Sequence, residues 1–315
     1  MQSRSLAPRV APKRWWQAYR TTSKRKTMKK IFSIIALTTI SILTYGQTDI
    51  DKLTKPIVDE GKRLYRSEMA SWYGTDLFLE KSPDREKIGG YFSYSENEIS
   101  KCVFFSKGDN PKIIGTISFD STYNLKTATT DINERDLTKT ENDLFEIRQI
   151  ALNIVQQDTL FKSYKNTNLN FIPLISEGEK KVYILTGPTQ NGVVIFGNDY
   201  LLTFDIENKL ISKRQLHKNI IPINYGGKEE EGKEVEGAMH SHLPETGDFM
   251  TATDICTLML YEKFAKWKQH TVVSKNYISI WNCQTDELVA ITTEVMNKIN
   301  KDQEKRHKKD KKNKD

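Results

Sequence analysis

Apolar positions first recur at helical spacing between Asp49 and about Ala70, where Ile50, Leu53, Ile57 and Leu64 share a face and predict a helix. Short runs with strand character follow: "GGYFSYSE", "SKCVFFSK", "PKIIGTISFD" and "YNLKTATTDI". Turn residues separate them, among them Gly108-Asp109-Asn110-Pro111, so they read as an antiparallel meander. Helical spacing returns in "TENDLFEIRQIALNIVQQ", where Leu144, Ile147, Ile150, Ala151 and Ile154 repeat and Thr140 is the predicted cap.

The second half alternates more strongly. "KKVYILTGP", "GVVIFGNDYLLTFD" and "LISKRQLHKNIIPI" read as three successive strands, with a bend expected at Gly197 to Tyr200. A charged, glycine-containing loop, "GGKEEEGKEVEG", leads into the short strand "AMHSHL". "TATDICTLMLYEKFAKWKQ" then predicts an amphipathic helix behind a threonine cap. "HTVVSKNYISIWN" and "DELVAITTE" add two strands, and "KINKDQEKRHKKDKKNKD" is a lysine-rich end with no face to bury, expected to be disordered or solvated. The pattern is that of an α+β protein: an antiparallel or mixed sheet with flanking helices, preceded by a smaller β-rich region with one or two helices. The expected divisions are residues 47–165 for that first region, 166–297 for the second, and 298–315 for the tail.

Composition changes this picture in one respect. The net charge of +7 over 315 residues suggests a basic protein. Yet residues 1–46 hold ten Lys or Arg and no acid, and residues 298–315 hold nine basic and four acidic residues, so the body of the chain is acidic. The basic balance therefore gives no support to a nucleic-acid site. "MKKIFSIIALTTISILTYGQ" has the order of a secretory signal: Lys29 and Lys30, an apolar run from Ile31 to Leu43, then a small residue before Gln47. Residues 28–46 are assigned to that signal, and residues 1–27 to a start placed too far upstream. The apolar run is short for a membrane span, so the mature chain is expected to be secreted or periplasmic without one. Export permits disulfides. Cys256, on the helix, and Cys283, at the end of a strand expected beneath it, are the candidate pair, with Cys102 left over.

The chemistry concentrates in "GAMHSHLPETGDFMTATDICTLMLY". On a strand, alternate side chains share a face, so His240 and His242 point the same way about 7 Å apart. Asp254 falls in the first turn of the next helix, where a loop can fold it back over the strand end. Two imidazoles and a carboxylate make the three-ligand set of a catalytic zinc, with a fourth position open to water. His217 and His270 stand alone in sequence and read as satisfied or surface histidines, and Asp199 as a residue bonding locally within its bend.

These residues resemble the JAMM (MPN or JAB) zinc metalloprotease family over about residues 180–292. The family pattern is His-Ser/Thr-His, seven residues, Ser, two residues, Asp; here His240-Ser241-His242 is followed by eight residues, Thr251, two residues and Asp254. The helix, hydrophobic strand and aromatic strand that follow have the family's order. The resemblance implies a cytidine-deaminase-like fold for the C-terminal region and Zn²⁺ on His240, His242 and Asp254. It also implies that Thr251 steadies an oxyanion or the bound water, and that a glutamate on an earlier strand acts as general base. That glutamate's position holds Lys180 or Lys181; Glu179 is the nearest carboxylate, with Glu177 next.

The implied function is an exported zinc hydrolase cutting peptide or isopeptide bonds in cell-envelope or extracellular substrates. The alternative is an inactive MPN-like binding or scaffold module lacking the base. N-terminal sequencing of the exported protein is expected to start near Gln47; a retained apolar segment would reject the signal assignment.

Overall fold

The computed structural model describes residues 44–82, 85–225 and 235–312. Residues 1–43, which hold the start extension and most of the assigned signal, lie outside the described residues, as does most of the charged loop before the histidines. The class is α+β, as the pattern predicts, with antiparallel and mixed sheets. Among the described residues no helix is long and apolar enough to cross a membrane.

The first helix, α1 (Thr44–Lys81), runs further in both directions than its apolar spacing suggests. Its C-terminal half covers a four-stranded antiparallel sheet, β1 (Ile88–Glu96), β2 (Ile99–Ser106), β3 (Ile113–Phe119) and β4 (Thr129–Asp131), in that order. Ala70 and Phe78 pack there on Cys102, Phe104 and Ile117, with Phe78 stacked on Phe104 at 3.9 Å between ring centroids. The second helix, α2 (Lys139–Gln157), is capped at Thr138 rather than Thr140: Thr138 and Glu141 form a reciprocal capping box.

Of the three long strands expected in the second half, the first forms unbroken and the other two are interrupted. β6 (Glu179–Pro188) pairs with a strand the pattern did not single out, β5 (Thr167–Ser176). The next two runs each break once, giving β7 (Val193–Gly197) and β8 (Tyr200–Phe204), then β9 (Leu210–Gln215) and β10 (Ile220–Asn224). β8 and β9 complete a four-stranded sheet with β5 and β6, while β7 and β10 pair separately as a ribbon. The last sheet orders β11 (Gly237–Ser241), β12 (Gln269–Val273), β13 (Tyr277–Asn282) and β14 (Glu287–Thr292). β11 and β12 are parallel, which requires a crossover, supplied here by α3 (Ala252–Ala265).

α3 is the centre of the molecule. It is buried on almost every side rather than amphipathic, as an all-round apolar helix must be. Ile255 and Leu258 face a cluster with Val194, Phe196, Val272 and Trp281. Cys256 and Leu260 face the opposite cluster with Leu64, Ile172 and Tyr183. This arrangement overturns the expected Cys256–Cys283 disulfide. All three thiols are free, because Cys256 points into one apolar cluster while Cys283 packs in the other beside Trp281.

The C-terminal stretch forms a helix, α4 (Thr293–Lys312), whose described side chains beyond Asn300 are exposed. Lys298, Lys301 and Lys305 are exposed, but the backbone closes its own hydrogen bonds.

One residue lets α1 approach α3. A Cβ on Gly61 would lie 2.7 Å from Ile255 Cβ and 2.9 Å from the Ala252 carbonyl oxygen. Gly61→Ala would raise helix propensity by about 1 kcal/mol. Overpacking of this kind costs about 1–3 kcal/mol and displaces the first turn of α3, so net destabilisation is expected in denaturant unfolding. A gain in stability would show that the two helices part freely.

Candidate metal centre

Two strand breaks face each other. At the first, Gly197 takes φ +78° and Asn198 takes φ +51°. Gly197 is required on a second count, since a Cβ there would lie 2.1 Å from the Asn219 carbonyl oxygen. Asn198 is buried and locked: its Nδ2 donates to the Lys162 carbonyl and to Thr186 Oγ1, and its Oδ1 accepts from Tyr200 Oη. The second break, between β9 and β10, crosses directly over the first. Leu216 N donates to the Asp199 carbonyl, and Asn198 N to the Asn219 carbonyl. The result sets Asp199 against His217, with 2.7 Å from Oδ1 to Nδ1.

β11 supplies the histidine pair. His240 is buried between exposed Met239 and Ser241. His242 N continues the ladder by donating to the Val273 carbonyl, so both imidazoles turn to the same side. Asp254 arrives on α3. Thr251 is the N-cap of that helix: its Oγ1 accepts from Asp254 N at 3.1 Å and donates to Asp254 Oδ2 at 2.7 Å. Thr251 N also donates to Oδ2, at 2.9 Å. The threonine singled out for an oxyanion role thus aims the carboxylate.

The groups converge on His242. Its Nε2 lies 3.2 Å from His217 Nε2, 3.2 Å from His240 Nε2 and 3.1 Å from Asp254 Oδ2. His217 Nε2 is 3.7 Å from Asp254 Oδ2, and His240 Nε2 is 3.6 Å from Asp254 Oδ1. Donor atoms of His217, His242 and Asp254 all lie within 4.8 Å of one another. A zinc ion with ligand bonds of about 2.0–2.2 Å would separate tetrahedral donors by roughly 3.3–3.6 Å, close to these spacings. Exposure is 5% for His217, 7% for His240 and His242 and 1% for Asp254.

The donor chemistry fits a cation. His217 Nδ1 is engaged by Asp199, and His240 Nδ1 by His270 Nε2 at 2.9 Å. If each Nδ1 carries the proton, each Nε2 turns a lone pair to the common point, as in metal-bound histidines with an outer partner. Asp254 Oδ1 is buried without a hydrogen-bond partner among the described residues. Protons alone leave this crowd of acceptors poorly satisfied; a bound metal ion would satisfy them together.

The predicted set His240, His242 and Asp254 is therefore brought together, and His217, His270 and Asp199 join it. Sequence reading set those three aside because each lies far from the motif along the chain. The usable signal was scarcity, since the chain has only five histidines, together with two strand breaks able to face each other. Glu179 does not join. It is 66% exposed and paired with Lys181 at 2.6 Å, which holds its carboxyl below the usual range. It lines a cleft of about 800 Å³ that Thr251 also borders.

Scans of family models, of curated proteins and of solved structures find no match to this chain, so the likeness to the JAMM pattern rests on its own residues. Fold and site together define an α+β protein with a buried histidine–aspartate centre able to hold a metal ion.

The charges of the metal-free centre are set by the same crowding. Burial opposes protonation of His217, but the carboxylates of Asp199 and Asp254 outweigh it and lift its pKa to about 9. Burial, aided by the neighbouring imidazoles, lowers His240 to about 4. Burial would raise Asp254, yet the surrounding histidines hold it well below the usual carboxylate range. A proton on His217 and a metal ion therefore compete for one place. The stabilising contribution of His217 protonation is full below its ordinary value of 6.5 and is lost as pH rises through about 9. The metal, which needs the neutral ring, should bind about tenfold more tightly per pH unit up to about pH 9. Chelator-competition titrations across that range check this; a flat profile would remove His217 from the ligand set.

Proposed function

We propose that this is an exported zinc-binding protein in which His217, His240, His242 and Asp254 hold one Zn²⁺ as a clamp, an MPN-like binding module rather than a peptidase. One observation carries the reading: three buried donors, His217, His240 and Asp254, crowd His242 and bring the protein donors to four, where a hydrolytic zinc needs three and an open position. The absent base supports it, since Glu179 is exposed and committed to Lys181. The ion would tie the β9–β10 connection, the end of β11 and the first turn of α3. Its partner would be a protein or peptide of the cell envelope or the extracellular space.

A second reading has its own support. In a JAMM-like hydrolase, His240, His242 and Asp254 would keep the metal while His217, oriented by Asp199, took the water's proton in place of the glutamate. The 2.7 Å His217–Asp199 pair is the form such a base takes.

Protein purified without chelator should carry about one zinc per chain, and His242→Ala should abolish it. His217→Ala separates the readings. Under the clamp it weakens zinc binding and lowers the thermal midpoint towards that of chelated protein, with no peptide hydrolysis before or after. Under the hydrolase it leaves zinc near stoichiometric and removes a peptidase activity present in the parent. Stoichiometric zinc surviving His242→Ala would sink both.

A further inference from the structure

A second buried polar chamber lies between α1, β1, α2 and β5. Ser67, Glu68 and Ser71 of α1, Ser93 of β1, Arg148 of α2 and Asn170 of β5 face it. It leaves about 20 Å³ for the centre of a water-sized particle. That is room for a water molecule or a small ion, not for an organic ligand.

Arg148 makes the chamber unusual. It is 7% exposed, and its Nε has no hydrogen-bond partner among the described residues. A guanidinium does not give up its proton, and a buried charge left unpaired is strongly unfavourable. The nearby carboxylate, Glu68, accepts from Asn170 Nδ2 at 3.2 Å, a bond to a neutral amide that leaves its charge, when it is ionised, facing Arg148. Hydroxyl donors are also present. Ser71 Oγ and Ser93 Oγ lie 2.8 Å apart, and Ser93 also bonds the Cys102 thiol; with Ser93 donating to Ser71, the Ser71 hydroxyl hydrogen is left for a ligand. Ser67 Oγ is spent on the Ser93 carbonyl.

We propose that this chamber binds one small inorganic anion of the chloride class, held by the Arg148 guanidinium and a serine hydroxyl from the Ser71–Ser93 pair. The anion supplies the counter-charge that is missing when Glu68 is protonated. The titratable groups facing Arg148 are Glu68, Tyr91 and Cys102. Burial pushes the Cys102 thiol up to about 12. Burial likewise raises Glu68 to about 7, against the lowering pull of Asn170 and Arg148. Above neutrality Glu68 neutralises the guanidinium and the anion is redundant. Below it Glu68 takes a proton, the positive charge stands alone, and the anion binds more tightly.

The test uses the full chain in chloride and in gluconate at equal ionic strength. Chloride should raise the thermal midpoint of the parent logarithmically with concentration, more below neutrality than above. In Arg148→Met the difference should vanish. Crystals grown in bromide should show an anomalous peak beside Arg148. Equal midpoints in the two salts overturn the proposal, even with a bromide peak, because such a peak then marks occupancy at crystal concentration only. Chloride stabilisation that persists in Arg148→Met overturns it as well. If that variant does not fold, the parent decides: chloride stabilisation that weakens above neutrality, with a bromide peak, supports the site, and water density in its place rejects it.

Discussion

A carboxylate taken almost wholly out of water must be compensated on the spot, and Asp254 imposes that constraint here. It sits in the first turn of a helix buried on nearly all sides. Cap hydrogen bonds from Thr251 satisfy one oxygen, and the histidines hold the group ionised. Those histidines come from two other segments, so one charge fixes how the β9–β10 connection, β11 and α3 meet. Moving any of them would strand a buried charge, which costs several kcal/mol.

The helix that carries this charge is held by another. α1 packs on α3 through Gly61 and, further along, covers the first sheet with Ala70 and Phe78. A single rigid element therefore spans the first β region and the region of the histidine centre. The two expected regions share this helix and α2, which packs on the β5–β6 sheet through Ile147 and Ala151.

Two buried charge clusters flank α1, and they have opposite needs. Around His242 the donors are lone pairs and a carboxylate, an arrangement that accepts a cation or a proton. Around Arg148 a guanidinium nitrogen is left without a partner among the described residues, with the Glu68 carboxyl and serine hydroxyls nearby. In both places the protein brings polar and ionisable groups together in a low-dielectric interior, where each interaction is stronger than in water. Such sites are completed by an ion or by a change of protonation.

The sequence by itself determined a good deal. Period and turn chemistry marked the meander, α2 and the helix after the histidines, because those signals are local. Alternation put His240 and His242 on one face, and the capping position put Asp254 at a helix start, so three donors were legible together. The sequence did not reveal His217, His270 or Asp199. Their meeting depends on two strand breaks crossing, Gly197 under Asn219, and on the parallel register that sets His270 beside Ala238. Nor could it show that α3 is enclosed on both sides, which sent Cys256 and Cys283 into different clusters and left both thiols free. Periodicity reports which face of an element is apolar. Which elements share that face, and which polar groups are trapped between them, is decided by long-range packing.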